Sequence, residues 1–203
     1  MEFSTTDLKA LFAAFAARMA TERDALCALD GAIGDGDHGI AMEQGMAAAA
    51  RAAAETEGTL QDICNAAAKG FLNAVGASSG PLYATGFLRA GKVFGPVNAI
   101  SRESLTQIIP AIRDGIVHRG KAEPGQKTML DAWHPAAEAV LSGADATAAS
   151  ECAIEGAKAT TGMIARMGRA ERLQERSLGH PDPGAISAAM LIEIIAQAAS
   201  AKS

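Results

Sequence analysis

Residues 4–19 read Ser-Thr-Thr-Asp-Leu-Lys-Ala-Leu-Phe-Ala-Ala-Phe-Ala-Ala-Arg-Met. The large apolar side chains Leu8, Leu11, Phe12, Phe15 and Met19 recur every three or four residues, which lines one face of an α-helix. Ser4–Thr5–Thr6–Asp7 supplies a capping signal at its start. The same period continues through the chain, broken by Gly and Pro. This predicts a first helix ending near Leu29, a second from Ile40 to Glu55 and a third from the Thr59 cap to Val75. A fourth runs through Phe87 to Val93. A fifth opens at Ser101 or Glu103, with Pro110 in its first two turns, where proline is tolerated. A sixth covers Thr128 to Leu141, a seventh runs from the Asp145 cap to about Ala165, and a last spans Ala185 to Ala199. The expectation is therefore an all-α chain of eight helices. Short connections favour antiparallel neighbours, hence an up-and-down bundle or barrel forming one domain over residues 1–203.

Composition agrees. Of 203 residues 47 are alanine, nearly half of the 49% that is hydrophobic, and aromatics are only 4%. Alanine is the best helix former and brings no strand preference. All-β folds are excluded and a parallel α/β sheet is disfavoured. The net charge of −5 argues against nucleic acid, whose phosphates need a basic surface. Cys27, Cys64 and Cys152 are too far apart to imply a disulfide framework or a zinc site. The start Met-Glu-Phe-Ser-Thr-Thr-Asp lacks a secretion signal, and the most apolar run, Ala188 to Ala199, carries Glu193. A cytoplasmic protein off the membrane is expected.

The chemistry concentrates in the breaks. Asp30-Gly-Ala-Ile-Gly-Asp-Gly-Asp-His-Gly39 holds three carboxylates and four glycines in ten residues. On a helix Asp35 and Asp37 would lie ~200° apart, so they share an ion only if the segment is loop. Three unpaired carboxylates this close repel and raise one another's pKa. A hard divalent cation removes the repulsion, and Mg²⁺ suits a site of few carboxylates plus phosphate oxygens. The same residues satisfy GxGxxG, but no strand precedes them and the aspartates would repel a bare pyrophosphate. An EF-hand reading fails because Ile40 stands where the loop requires glycine.

Three further breaks suit anions. Gly76-Ala-Ser-Ser-Gly-Pro81 precedes a helix, whose N-terminus offers free N–H groups. Gly120-Lys-Ala-Glu-Pro-Gly-Gln-Lys-Thr128 approaches a P-loop, but Gln126 separates the final Gly from Lys127 and no strand leads in, so only a nucleotide-contact loop is retained. Gly168 to Gly184 carries three arginines, suited to phosphate oxygens, on a proline-stiffened backbone. His118 and His134 have no partner at ligand spacing and read as ordinary helix residues.

Taken together, Asp30…Gly34-Asp-Gly-Asp-His-Gly39, Gly76–Pro81, Arg119–Gly125, Thr128-Met129…Asp131…Trp133 and Gly168-Arg-Ala170…Glu175-Arg-Ser177…Gly179-His180…Asp182-Pro-Gly184 resemble the nucleotide-binding L subunit of dihydroxyacetone kinases, also found as the C-terminal domain of single-chain kinases. The resemblance covers essentially the whole chain and is closer to the separate-subunit form. It implies an eight-helix antiparallel barrel with ADP or ATP at one rim. Asp30, Asp35 and Asp37 would hold two Mg²⁺ ions. His38, Gly39, Ile40, Ala41, Ser78 and Ser79 would line the phosphates and nearby nucleotide atoms. Gly120, Met129, Arg169, Asp182, Pro183 and Gly184 would surround the remainder. Ala41 stands where the family often has asparagine, which removes a side-chain amide. The resemblance further implies a K-type partner that holds the hydroxyketone through a histidine, and a phosphotransferase-system M subunit in systems that rephosphorylate bound ADP; the oligomeric state is left open, a homodimer being one option. A related short-ketose kinase, acting for instance on erythrulose, and a non-enzymatic nucleotide-dependent regulatory module are the alternatives.

Overall fold

The computed structural model describes residues 1–201. A short strand β1 (Glu2–Ser4) leads into α1 (Thr5–Ile33), followed by α2 (His38–Glu55), α3 (Leu60–Ala74) and α4 (Ser79–Phe94). After β2 (Ala99–Ser101) and a 3₁₀ segment (Arg102–Gln107) come α5 (Ile108–Gly120), α6 (Leu130–Leu141), α7 (Ala146–Ala159) and α8 (Pro183–Ser200). Each helix packs on the next in sequence, and α8 returns to pack on α1, closing the ring. The eight-helix antiparallel barrel expected from the sequence is what forms.

Local chemistry sets the helix starts. Ser4 and Thr59 each form a reciprocal capping box, with Asp7 and Asp62 respectively. Asp145 accepts from the Ala148 N–H, and Asp182 caps α8 with Pro183 in its first turn. Several ends differ from the sequence reading. α1 runs on to Ile33, whose buried side chain anchors the extra turn, so Asp30 is helical rather than part of a loop. The fifth segment is divided: Arg102–Gln107 is 3₁₀, and Pro110 is the third residue of α5, where its missing N–H has no intrahelical partner to lose. α7 stops at Ala159 instead of about Ala165, because Thr160 turns its hydroxyl onto the Ala157 carbonyl and a 3₁₀ turn follows. The β1–β2 ribbon, pairing Phe3 with Ile100, is too short to leave an alternation in the sequence.

The barrel is filled rather than hollow. Phe87 lies at its centre, with ring centroids 5.3 Å from Phe12, 6.1 Å from Phe71 and 6.0 Å from Tyr83; Trp133 lies 6.5 Å beyond Tyr83. Alanines at 49, 53, 67, 132, 136, 149, 153, 185 and 188 are fully buried, and their small side chains let helices approach closely. Among the described residues α8 is the one helix long and apolar enough to cross a membrane, yet 61% of it is buried inside the barrel.

An up-and-down ring sorts its connections by parity. The links α1–α2, α3–α4, α5–α6 and α7–α8 all fall on one rim. The β ribbon, Arg102 and the remaining links fall on the other. There the Arg102 guanidinium donates to the Glu2 and Ala198 carbonyls and to Asp7, and stacks over Phe3. Replacing Phe87 with alanine should cost roughly 3–5 kcal/mol of stability, as for other buried aromatic truncations. Urea denaturation checks this, and a loss below about 1 kcal/mol would show the aromatic centre to be slack.

Candidate functional site

The link between α1 and α2 is four residues, Gly34–Asp37. Gly36 adopts φ 79°, a left-handed conformation that favours glycine. The Asp30 carboxylate reaches across this turn, and its Oδ2 accepts the N–H of Asp37 at 2.9 Å and of His38 at 3.2 Å. Asp30 therefore ties the end of α1 to the beginning of α2. Its neighbour Gly39 sits where the two helices touch: a Cβ there would lie 2.0 Å from the Arg23 carbonyl oxygen.

Carboxylate oxygens of Asp30, Asp35 and Asp37 come within 4.8 Å of one another. The Arg169 guanidinium pairs with Asp35 and, at 3.1 Å, with Asp37. Burial, reinforced by the Asp30 charge, pushes the Asp37 carboxyl above its usual range. Three hard oxygen donors that already draw a cationic side chain fit a divalent ion such as Mg²⁺.

Beside this cluster opens a cleft of about 410 Å³. Parity brings four helix N-termini to it. His38 of α2, Ser79 of α4, Met129 before α6, and Pro183 and Gly184 of α8 all line it. Their N–H groups and positive dipole ends favour an anion. Ser78, Gly120, Arg169, Asp30, Asp37, Ala41 and Asp182 complete the wall from the predicted set, joined by Arg119, Thr128 and Leu82. Asp35 stands at the exposed mouth. Gly39 and Ile40 do not line the cleft. Gly39 is consumed by the α1–α2 contact, and Ile40 is 39% exposed, because a helix that turns His38 and Ala41 inward carries the residue between them outward.

Inside, His38 Nε2 lies 2.9 Å from the Ser187 hydroxyl on α8, and burial lowers the imidazole pKa toward the neutral form. Asp182 accepts the Ala185 N–H at 2.7 Å. Burial pushes its carboxyl up to about 7, aided by the charges of Asp131 and Asp30 and opposed by the Ala185 hydrogen bond and by Lys127. Asp131, at the start of α6, folds the preceding loop by accepting from the Gly125 N–H and, at 2.8 Å, from the Thr128 N–H. Sequence reasoning assigned no role to Ser187, which carries no signal beyond a serine on an apolar helix. It also set Lys127 aside with the P-loop reading. The structure buries Lys127 to 1% exposure, turned into the protein interior.

A closed all-helical barrel whose rim combines clustered carboxylates with converging helix N-termini defines a class of metal-dependent, anion-binding domain. The DAK2 domain matches residues 32–197, and the chain belongs to that family. It is 40% identical over 184 residues to the ADP-binding subunit DhaL of PEP-dependent dihydroxyacetone kinase 1 from Listeria innocua, covering 90% of this chain and 91% of that one. It is 36% identical over 178 residues to L-erythrulose 1-kinase of Mycolicibacterium smegmatis, covering 83% of this chain but 31% of that longer protein. The dihydroxyacetone kinase of C. freundii superposes with a TM-score of 0.72 at 25% identity over 94% of this chain. The present chain spans about a third of that kinase (34%), which has also been solved in complex with AMP-PNP and Mg²⁺.

Two outcomes test this geometry. Gly39→Ala should lower stability by about 1–3 kcal/mol, because the new methyl meets backbone rather than a flexible side chain; an unchanged melting temperature would refute the tight crossing. For Asp182 the folded pKa lies above 3.8, so the folded protein keeps a proton that the unfolded chain has released. Its stabilising contribution is complete at acid pH and is lost as pH rises through about 7. Asp182→Asn keeps the cap, so the ligand-free variant should lack that part of the wild-type stability loss between roughly pH 4 and 7. Thermal melts of both proteins across that window decide, and parallel profiles would refute it.

Proposed function

We propose that this chain is the nucleotide-carrying subunit of a short-ketose kinase, binding Mg-ADP or Mg-ATP at the cleft and transferring the terminal phosphoryl group to dihydroxyacetone held by a K-type partner. The observation that carries the reading is the convergence of Asp30, Asp35 and Asp37 at the mouth of a cleft onto which four helix N-termini open. Asp30, Asp35 and Asp37 would hold two Mg²⁺ ions. Divalent ions bridging nucleotide and carboxylates neutralise the charge that develops in phosphoryl transfer.

The chain's own groups do the rest. The N–H groups left over at these helix starts, such as those of Ser79 and Gly184, together with the Ser78 and Ser79 hydroxyls, donate to phosphate oxygens. Arg169, the counter-ion of Asp35 and Asp37 without nucleotide, turns to the polyphosphate once cations take its place. Its planar fork suits that contact. Phosphoryl transfer asks mainly for positioning and electrostatic stabilisation, so the nucleotide half can occupy one chain and the acceptor half another. The Listeria relative is named as an ADP-binding subunit of a PEP-dependent kinase. By that likeness, bound ADP serves here as a carrier recharged in place by a phosphotransferase M subunit. The similarity to an erythrulose kinase supports a tetrose as the second acceptor, a choice made on the partner rather than here.

Asp35→Asn and Asp37→Asn should each weaken Mg-ADP binding by roughly 100-fold or more, since each removes a charged ligand, while leaving the barrel folded. Calorimetry giving near-wild-type affinity in both variants would reject the site. Mg-ADP at ~100 times its dissociation constant should add about 2.7 kcal/mol of stability, and EDTA should abolish the gain. Turnover in a mixture with a K-type subunit and a phosphate donor separates this reading from a purely regulatory nucleotide switch, which would bind without turnover.

A further inference from the structure

Lys127 is the residue for which the P-loop likeness predicts a phosphate contact, and its side chain does something else. Its Nζ donates to the carbonyl oxygens of Thr160 (2.9 Å), Met163 (3.0 Å), Ser177 (2.7 Å) and His180 (2.6 Å). At 1% exposure the ammonium is out of water; among the described residues no carboxylate forms a direct ion pair with it, although Asp182 feels its charge. Burying a charge is costly unless its hydrogen-bonding capacity is met. Here three N–H donors meet four carbonyl oxygens, the environment that selects a dehydrated monovalent cation elsewhere in proteins.

The position of those four carbonyls in the chain is informative. Thr160 and Met163 lie just before the excursion over residues 164–176, and Ser177 and His180 just after it. That excursion takes in all but the last residue of a 3₁₀ segment, Arg169–Ser177, and it leads directly to Asp182 and Gly184 of the cleft wall. Smaller ties gather at the same point. The Gly179 N–H donates to the Thr161 carbonyl, the Ala165 N–H to the Ser177 hydroxyl, and the Asp182 N–H to the Thr160 hydroxyl, each at 2.9 Å. Lys127 itself adopts φ 62°, a left-handed conformation uncommon for lysine, which suits a residue held by its side chain.

We infer that Lys127 is a positioning residue: its ammonium acts as a built-in monovalent cation that clamps both feet of the 164–176 strap and so fixes where Arg169 and Asp182 stand in the nucleotide cleft. The consequence for affinity rests on the nucleotide reading above. The clamp itself does not, and the two can fail separately.

The test begins without nucleotide. In Lys127→Met, which keeps the side-chain volume but leaves four carbonyls unpaired, trypsin cleavage within the strap at the exposed Arg172 and Arg176 should accelerate roughly 10-fold or more, while helical circular dichroism is retained. In Lys127→Ala, potassium or ammonium chloride should slow that cleavage toward the wild-type rate, and choline chloride at equal ionic strength should not. Mg-ADP affinity should fall at least about 10-fold in Lys127→Met and recover with potassium in Lys127→Ala. Cleavage of Lys127→Met at the wild-type rate, or a Lys127→Ala variant indifferent to the cation supplied, overturns the clamp. Accelerated cleavage in a protein whose wild type binds no Mg-ADP upholds the clamp and removes the nucleotide reading. Should neither variant fold, the wild-type protein decides: a slowly exchanging ammonium resonance assigned to Lys127 supports the clamp, and rapid exchange with water overturns it.

Discussion

Closure of α8 onto α1 is the constraint from which the site follows. Eight helices alternating in direction can form a ring only if every second connection lies on the same rim. The same alternation brings the N-termini of α2, α4, α6 and α8 to that rim, together with the C-termini of α1, α3, α5 and α7. Positive dipole ends draw anions and negative ends draw cations, so the rim is suited to hold both at once. No single helix contains the site. It is a property of the ring.

Within that rim the charges are balanced locally. Asp30 is held by the N–H groups that begin α2, and Asp35 and Asp37 share the Arg169 guanidinium. The strap that delivers Arg169 comes from the far end of the sequence and has little apolar surface of its own, with Ser177 its one buried residue within the 3₁₀ segment. Polar ties therefore hold it, and the Lys127 ammonium makes four of them. A carboxylate cluster at the mouth and a buried cation behind it divide the work between ligand binding and positioning. The aromatic centre around Phe87 supplies the rigid wall against which both act.

Much of this was legible in the chain. The three- and four-residue spacing of Leu8, Phe12, Phe15 and Met19, and the capping signals at Ser4, Thr59 and Asp145, predict helices that form, because periodicity and caps act within a few residues of one another. The Asp30–Gly39 segment announced clustered carboxylates. Its division did not show: Asp30 belongs to α1, since burial of Ile33 in the cleft wall outweighs the weak helix preference of the glycine at 31. The family resemblance placed Gly39 and Ile40 beside the nucleotide, but the helix that begins there turns one into the α1 contact and the other toward solvent. The early end of α7 rests on the Thr160 hydroxyl turning back to the Ala157 carbonyl, a choice that periodicity does not mark, and the start of α8 is tied by the Asp182 N–H to that same hydroxyl, 22 residues away.

The helical class, the approximate number of helices and the carboxylates available for a cation can be read from the chain alone, because propensity, period and local charge density are written in contiguous residues. That Arg169 faces Asp35 and Asp37, that Ser187 meets His38 and that the Lys127 ammonium binds four carbonyls follows only from the folded ring. Those partners lie 33 to 149 residues apart, and ring closure together with the cost of leaving a buried charge unsolvated selects them.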